Sequence, residues 1–354
     1  MALDRQQVMA ALRKVNDPEL HKDLVTLNQI KDVKIDGSAI RLVIDREGTG
    51  PMRQVIQRDV TAALQQIGAE RVQIEFAAAG HAAQAPRLLP QVKNIVAVGA
   101  GKGGVGKSTL ALNLAVGLAR LGDQVGLMDG DIYGPSMPTM LGIKGQPPAV
   151  NGGQVIPFFV HGIHAITIGA MVEPDAPLIW RGPMAHGAFK QLFVENTLWP
   201  ALDYLVVDLP PGTGDVPLTL CQLLPITGAV IVATPQQVAL DDAVRAVRMF
   251  QKLGAPILGV VENMSYLRGP DGQVIDIFGH GGAERAAQRL NLPFLGALAL
   301  HTELRVHSDA GTPIANFTGP NDALRNELQA IVHNLIGQVS ARNMAMATPK
   351  LTIE

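Results

Sequence analysis

Hydrophobic and polar positions divide the chain into two stretches of different grammar. In the first, Val8, Leu12 and Val15 recur at helical spacing and predict a helix over 6–15. Residues 38–45 alternate, with Ile40, Leu42 and Ile44 on one face of a strand. Helical period returns over 52–67, and 71–76 reads as a closing strand, which outlines a small α+β domain over 1–77. The Ala-rich run that follows, ending at Pro86, has little that packs, so 78–92 is expected to be a linker. From Asn94 onward, apolar β-branched runs at 95–98, 125–128, 204–207, 229–233 and 257–261 are separated by amphipathic stretches such as 109–121 and 238–253. Strands apolar on both faces, with helices between them, predict an α/β fold: a mostly parallel sheet covered on both sides, with ligands at the carboxyl ends of its strands. This domain is expected over 93–338, and 339–354 as a polar, frayed tail.

Composition narrows the function classes. A chain of 354 residues that is 47% hydrophobic and 17% charged can bury a large core, which excludes disorder as its dominant state. Only 4% is aromatic, so that core must be aliphatic. With 29 Lys+Arg against 31 Asp+Glu the net charge is −2, so neither nucleic acid nor an acidic membrane is expected as a partner. No run approaches the roughly 18 uninterrupted apolar residues of a membrane helix, and the first residues are polar, so a cytoplasmic protein is expected. The single cysteine, Cys221, excludes an intrachain disulfide and any metal site built from several thiolates of one chain.

The strongest chemical signal is Gly101-Lys102-Gly103-Gly104-Val105-Gly106-Lys107-Ser108, followed by Thr109. It fits the phosphate-binding loop pattern, with a predicted strand before it and a predicted helix after it. Glycines let backbone N–H groups turn inward around phosphate oxygens, and the helix N-terminus adds its positive dipole end. Lys107 is expected to reach the β- and γ-phosphates of ATP, and the Ser108 hydroxyl to coordinate Mg²⁺. Three segments complete the arrangement. The apolar strand at 205–208 ends in Asp208, which would hold Mg²⁺ through water, and 210–215 (PPGTGD) is suited to sensing the γ-phosphate. Asp129-Gly130-Asp131 ends the strand after the loop helix, where a carboxylate can orient the attacking water. Any one of these aspartates alone would be read as a cap or turn residue; their order around one sheet favours function.

Lys102, in addition to Lys107, makes the loop resemble the deviant P-loop ATPases related to MinD, ParA and the nitrogenase iron protein. DGDIYGPS at 129–136, IWRGPM at 179–184, the 203–215 segment, ENMSY at 262–266 and IFGHGG at 277–282 resemble the Mrp/ApbC-type iron–sulfur cluster carriers. Asp17-Pro18-Glu19 and Asp23-Leu24-Val25 resemble the small domain often fused to bacterial members. The resemblance covers about 5–335. It implies an ATP-hydrolysing homodimer that serves apo iron–sulfur proteins or assembly factors. By the same resemblance, Lys102 reaches the partner's nucleotide, Asp131 positions the water and Asn263 contacts the adenine edge. Asn263 also reads as a turn former.

The sequence departs from that family at its cargo site. Members that carry a cluster show C-x-x-C shortly after the ENMS segment, whereas 266–273 here reads YLRGPDGQ. A cluster wants four soft thiolates, and two chains would offer two, both Cys221. That residue lies in an apolar helical run (218–224), where a buried, inert thiol is expected. His161, His164 and His280 could add nitrogen ligands, but their spacing makes no convincing metal site. Two functions therefore stand: an ATP-driven cluster carrier, and a cluster-free switch whose ATP state controls dimerisation and partner choice. A small-molecule kinase, the third use of such a loop, is disfavoured by the IWRGPM and PPGTGD segments.

Overall fold

The computed structural model describes the chain except residues 1–3, 17–22, 27–28, 46–49, 78–87, 132–133, 135, 172–186, 188, 270 and 348–354. Asp17, Glu19 and the IWRGPM segment lie outside the described residues. Two compact units are present, Met1–Arg87 and Leu88–Glu354.

In the first unit, helix α1 (Arg5–Leu12) opens with a capping box: the Asp4 carboxylate accepts from the Gln7 amide, and the Gln7 side chain accepts from the Asp4 amide. Strand β1 (Ile30–Asp36), not anticipated from the pattern, runs antiparallel to β2 (Ala39–Asp45). Helix α2 (Gly50–Gln65) crosses over to β3 (Arg71–Ala77), which pairs parallel to β2. Val8, Leu12, Ile40, Leu42, Ile44, Ile56, Val60 and Leu64 form its buried core.

The second unit begins packed: Leu89 is buried and β4 (Val92–Ala100) starts within the stretch expected to be linker. After the phosphate loop come α3 (Lys107–Arg120) and β5 (Val125–Asp129), then the short α4 (Met137–Met140). A small hairpin, β6 (Ala149–Asn151) with β7 (Gln154–Ile156), precedes β8 (Phe158–Val160) and β9 (Ile163–Thr167). The chain continues through β10 (Leu202–Asp208), α5 (Asp215–Leu223), β11 (Gly228–Ala233) and α6 (Gln237–Lys252). Strands β12 (Ile257–Arg268) and β13 (Val274–Ile275), α7 (Gly282–Arg289) and β14 (Phe294–Leu300) follow. The last elements are α8 (Thr302–Asp309), α9 (Ala315–Thr318) and α10 (Asp322–Ala347). That final helix continues to Ala347 rather than fraying after 338. Part of the reason is packing, since Asn343 donates to Asn94 on β4.

The main sheet has nine strands in the order β13-β12-β11-β4-β10-β5-β9-β8, with β14 also paired to β12. Among the described residues of this sheet, only β8 and β13 pair antiparallel to their neighbours. Successive residues of β4 feed opposite cores: Ile95 and Ala97 pack with α5, α6 and α7, while Val96 and Val98 pack with α3 and α10. Both faces being covered is why these strands read as continuous apolar runs. The order reverses at β4, whose neighbours are β10 and β11, so the loop after it opens at a topological switch point.

Candidate functional site

Gly101 must be glycine because a Cβ there would lie 2.1 Å from the backbone carbonyl carbon of Asp242 on α6. Gly106 caps α3 in the left-handed region (φ 82°), and a Cβ there would lie 2.1 Å from Asn263 Nδ2. The loop is thus clamped between α6 and β12. Asn263 Nδ2 donates to the Val105 carbonyl at 2.8 Å, and Asn263 lies inside β12, which runs seven residues beyond the expected end at Val261. The next residue, Met264, is left-handed (φ 54°), and the pairing of β12 with β14 shifts register between Asn263 and Leu267. Below the bulge, the Glu262 carboxylate accepts from Ser265 Oγ and from the amides of Gly281 and Ala283 at the start of α7. This ties the ENMS and GHGG segments together, with His280 Nδ1 3.0 Å from Ser265 Oγ.

The Lys107 ammonium is 6% exposed and sits 2.5 Å from Asp208 Oδ1, 3.6 Å from Asp131 Oδ2 and 3.2 Å from Ser108 Oγ. Asp208 is fully buried and its Oδ2 has no hydrogen-bond partner. A buried, unpartnered carboxylate oxygen is costly, and beside a serine hydroxyl it suits a hard cation that takes oxygen ligands. The donor set therefore fits Mg²⁺. Burial pushes the Asp208 carboxyl up, against the pull of Lys107. Asp129, at the end of the neighbouring β5, is also buried. Its carboxylate accepts from Thr167 Oγ1 at 2.6 Å and from the Asp131 amide at 3.1 Å. Desolvation and then the Asp208 charge raise it to about 7.

Two cavities open here. A cleft of about 210 Å³ is bounded by Lys102, Gly103, Gly104, Gly106, Lys107, Ser108, Thr109, Asp131, Ser136 and Pro211. Next to it is a largely apolar cavity of about 500 Å³ that shares Gly106, Thr109 and Ser136. Its walls are Thr139 and Met140 of α4, Asn263 and Met264 of β12, Ala299 and Leu300 at the end of β14 with His301 after it, and Leu304, Arg305, Ser308 and Asp309 of α8. The first has the size and donors for a polyphosphate, the second the size of a nucleoside. Of the predicted residues, Lys102, Gly103, Gly104, Gly106, Lys107, Ser108, Thr109, Asp131 and Asn263 line this double cavity, whereas Gly101, Val105 and Asp208 do not. Sequence reading missed Thr167, α4 and α8. These carry no local motif, although their place at the carboxyl end of β9 and after those of β5 and β14 is where a parallel sheet collects ligand contacts.

Cys221 lies on α5, 8% exposed, and burial pushes its thiol up to about 12. His161 turns β8 into β9 and His164 pairs across it, while His280 is held at Ser265. No group of three or more His, Cys, Asp or Glu able to hold a metal ion occurs among the described residues. Nor is any described helix long and apolar enough to cross a membrane.

A strand–loop–helix phosphate cradle on a parallel sheet, with a buried lysine and an aspartate on the adjacent strand, defines a P-loop NTPase. The family model described as NUBPL iron-transfer P-loop NTPase, of the ParA type, matches residues 91–336. The model for iron–sulfur cluster assembly protein matches 5–76. The chain belongs to the NUBPL iron-transfer P-loop NTPase family. It is 46% identical over 355 residues to an iron–sulfur cluster carrier protein of Synechocystis, covering 96% of this chain and 98% of that one. Among solved structures, a nucleotide-binding protein from Archaeoglobus fulgidus in complex with ADP is 35% identical, with TM-score 0.57, over 64% of this chain and 89% of that one. The cell-division ATPase MinD of Pyrococcus furiosus shares the fold at 20% identity (TM-score 0.52, over 69% of this chain and 98% of that one).

Proposed function

We propose that this protein is an ATP-hydrolysing homodimer that works in iron–sulfur protein maturation. The observation that carries the reading is the buried Lys107–Asp208 pair, with the unpartnered Asp208 Oδ2, joined to a phosphate-sized cleft that Lys107 lines. In this reading the loop amides and Lys107 bind the β- and γ-phosphates. Ser108 and Asp208, the latter through water, hold Mg²⁺, which when bound neutralises charge developing on the phosphates. Asp131, on the rim of the same cleft, holds the attacking water in line and receives its hydrogen bond. Asn263, anchored to the loop carbonyl through Nδ2, keeps its Oδ1 for an exocyclic amine, which suits adenine.

Lys102 lines the cleft and is half-exposed, which suits a cation offered to a second copy's nucleotide. The exposed apolar run of Val274, Ile275, Ile277 and Phe278 supplies surface for that second copy. The relatives' names, iron–sulfur cluster carrier proteins, support iron–sulfur cargo and its delivery to apoproteins. The buried Cys221 supports a narrower mode: ATP gates dimerisation and partner binding, and no thiolate of this chain holds the cargo.

Two experiments test this. The Lys107→Ala variant should lose phosphate release by at least about a thousandfold; full turnover would remove the site assignment. Iron and acid-labile sulfide per dimer after anaerobic reconstitution should be absent, or unchanged in Cys221→Ser. Stoichiometric cluster lost in that variant would restore the thiolate-carrier reading.

A further inference from the structure

One wall of the nucleoside-sized cavity is α8, and a chain of buried amides reaches it from the phosphate loop's own helix. Asn113, one turn beyond Thr109 on α3, donates from Nδ2 to the Thr109 carbonyl at 2.8 Å. Its Oδ1 accepts from Asn316 Nδ2 at 2.8 Å, and Asn316 Oδ1 lies 2.8 Å from His307 Nδ1. Asn113 and Asn316 are 1% and 2% exposed. Thr109 borders both cavities, and His307 stands on α8 between Leu304 and Ser308, which line the larger one. The same helix is pinned at its far end to the chain leaving α4. There Gly311 (φ 67°) packs so closely that a Cβ would lie 2.5 Å from Gly142 Cα.

Buried amides are costly unless every partner is present, and an apolar contact of equal volume would hold two helices together more cheaply. What a directional amide chain adds is a single permitted spacing. We propose that His307, Asn316 and Asn113 are positioning residues that fix α8 against the phosphate-loop helix. In doing so they set the affinity of the site for the nucleoside half of its ligand without touching the phosphate half. The inference rests on the ATPase reading above and adds the residues that tune its substrate binding. None of the three carries a motif that marks it in the sequence.

The test is a split between affinity and turnover on the full-length protein. His307→Ala, at a half-buried position that tolerates truncation, is run beside Asn316→Ala, and both are checked for a cooperative thermal transition. Leaving one buried partner unpaired is worth a loss on the order of tenfold. KM for ATP and Kd for ADP should therefore rise about tenfold, with kcat at saturating ATP within about twofold of wild type. Inorganic tripolyphosphate, a competitor with phosphates and no nucleoside, should keep its inhibition constant in both variants. An Asn113→Ala/Asn316→Ala cycle should be strongly non-additive. Parallel weakening of ATP and tripolyphosphate, or an unchanged KM, would overturn the brace. A wild-type protein that neither binds ADP nor releases phosphate from ATP would instead overturn the ATPase reading, and the brace's role with it.

Discussion

Asp129 offers a quantitative test of the electrostatics beneath the phosphate cleft. Its carboxyl is 1% exposed, and burial, reinforced by the Asp208 charge, lifts it from 3.8 to about 7. A carboxyl whose folded pKa is raised holds its proton more tightly when folded. It therefore favours the native state at low pH, and that advantage is lost as pH rises from about 4 through about 7. For a shift of this size the loss between pH 5 and pH 8 comes to roughly 2.5 kcal/mol. Asp129→Asn keeps an oxygen for the Asp131 amide and an amide group facing Thr167 Oγ1, but carries no charge. Relative to wild type, the variant should gain roughly 2–3 kcal/mol of stability over that pH interval. Urea unfolding at pH 5, 6, 7 and 8, followed by tryptophan fluorescence, measures it. Both tryptophans, Trp180 and Trp199, belong to the second unit, so the signal reports on the unit that contains the site. Parallel stability–pH curves for the two proteins would refute the reasoning.

Lys102→Ala should slow phosphate release by at least about tenfold while ADP affinity changes by no more than about threefold, because its proposed partner is the other copy's nucleotide. Equal losses in binding and turnover would return Lys102 to its own chain's site. Gly106→Ala forces a Cβ to 2.1 Å from Asn263 Nδ2 at a left-handed φ, so ADP binding measured by calorimetry should be lost. The Cys221 thiol, buried and pushed up to about 12, should react with a disulfide reagent at pH 8 far more slowly in native protein than in urea.

The phosphate loop was legible because its chemistry is local: glycines, a lysine and a serine at fixed spacing specify their own backbone. The strands on either side were equally plain, since burial on both faces leaves unbroken apolar runs. Strand β1 escaped notice because its sequence, IKDVKID, alternates with charges and has a bulge near Asp32. Strand β12 was cut short at Val261 because Glu262, Asn263 and Ser265 look like the end of an apolar run. All three are in fact buried, their polar groups bonded to α7 and the phosphate loop. The final helix outlasted its polar sequence for a similar reason, since Asn343 finds Asn94 on β4.

From its own pattern the chain determined an α/β sheet, a nucleotide-phosphate loop with Lys107 and Ser108, and a single cysteine that cannot supply a thiolate shell. These follow from short-range spacing, composition and count. Tertiary structure alone decided that Asp131 and Asp208 share the Lys107 ammonium, that Thr167 supports the Asp129 carboxylate, and that α4 and α8 line one cavity. Residues 113, 307 and 316 became one hydrogen-bonded chain by the same route. The physical reason is that such groupings depend on which strand ends lie side by side, and β-strand order is set by packing across the whole sheet rather than by any neighbourhood along the sequence.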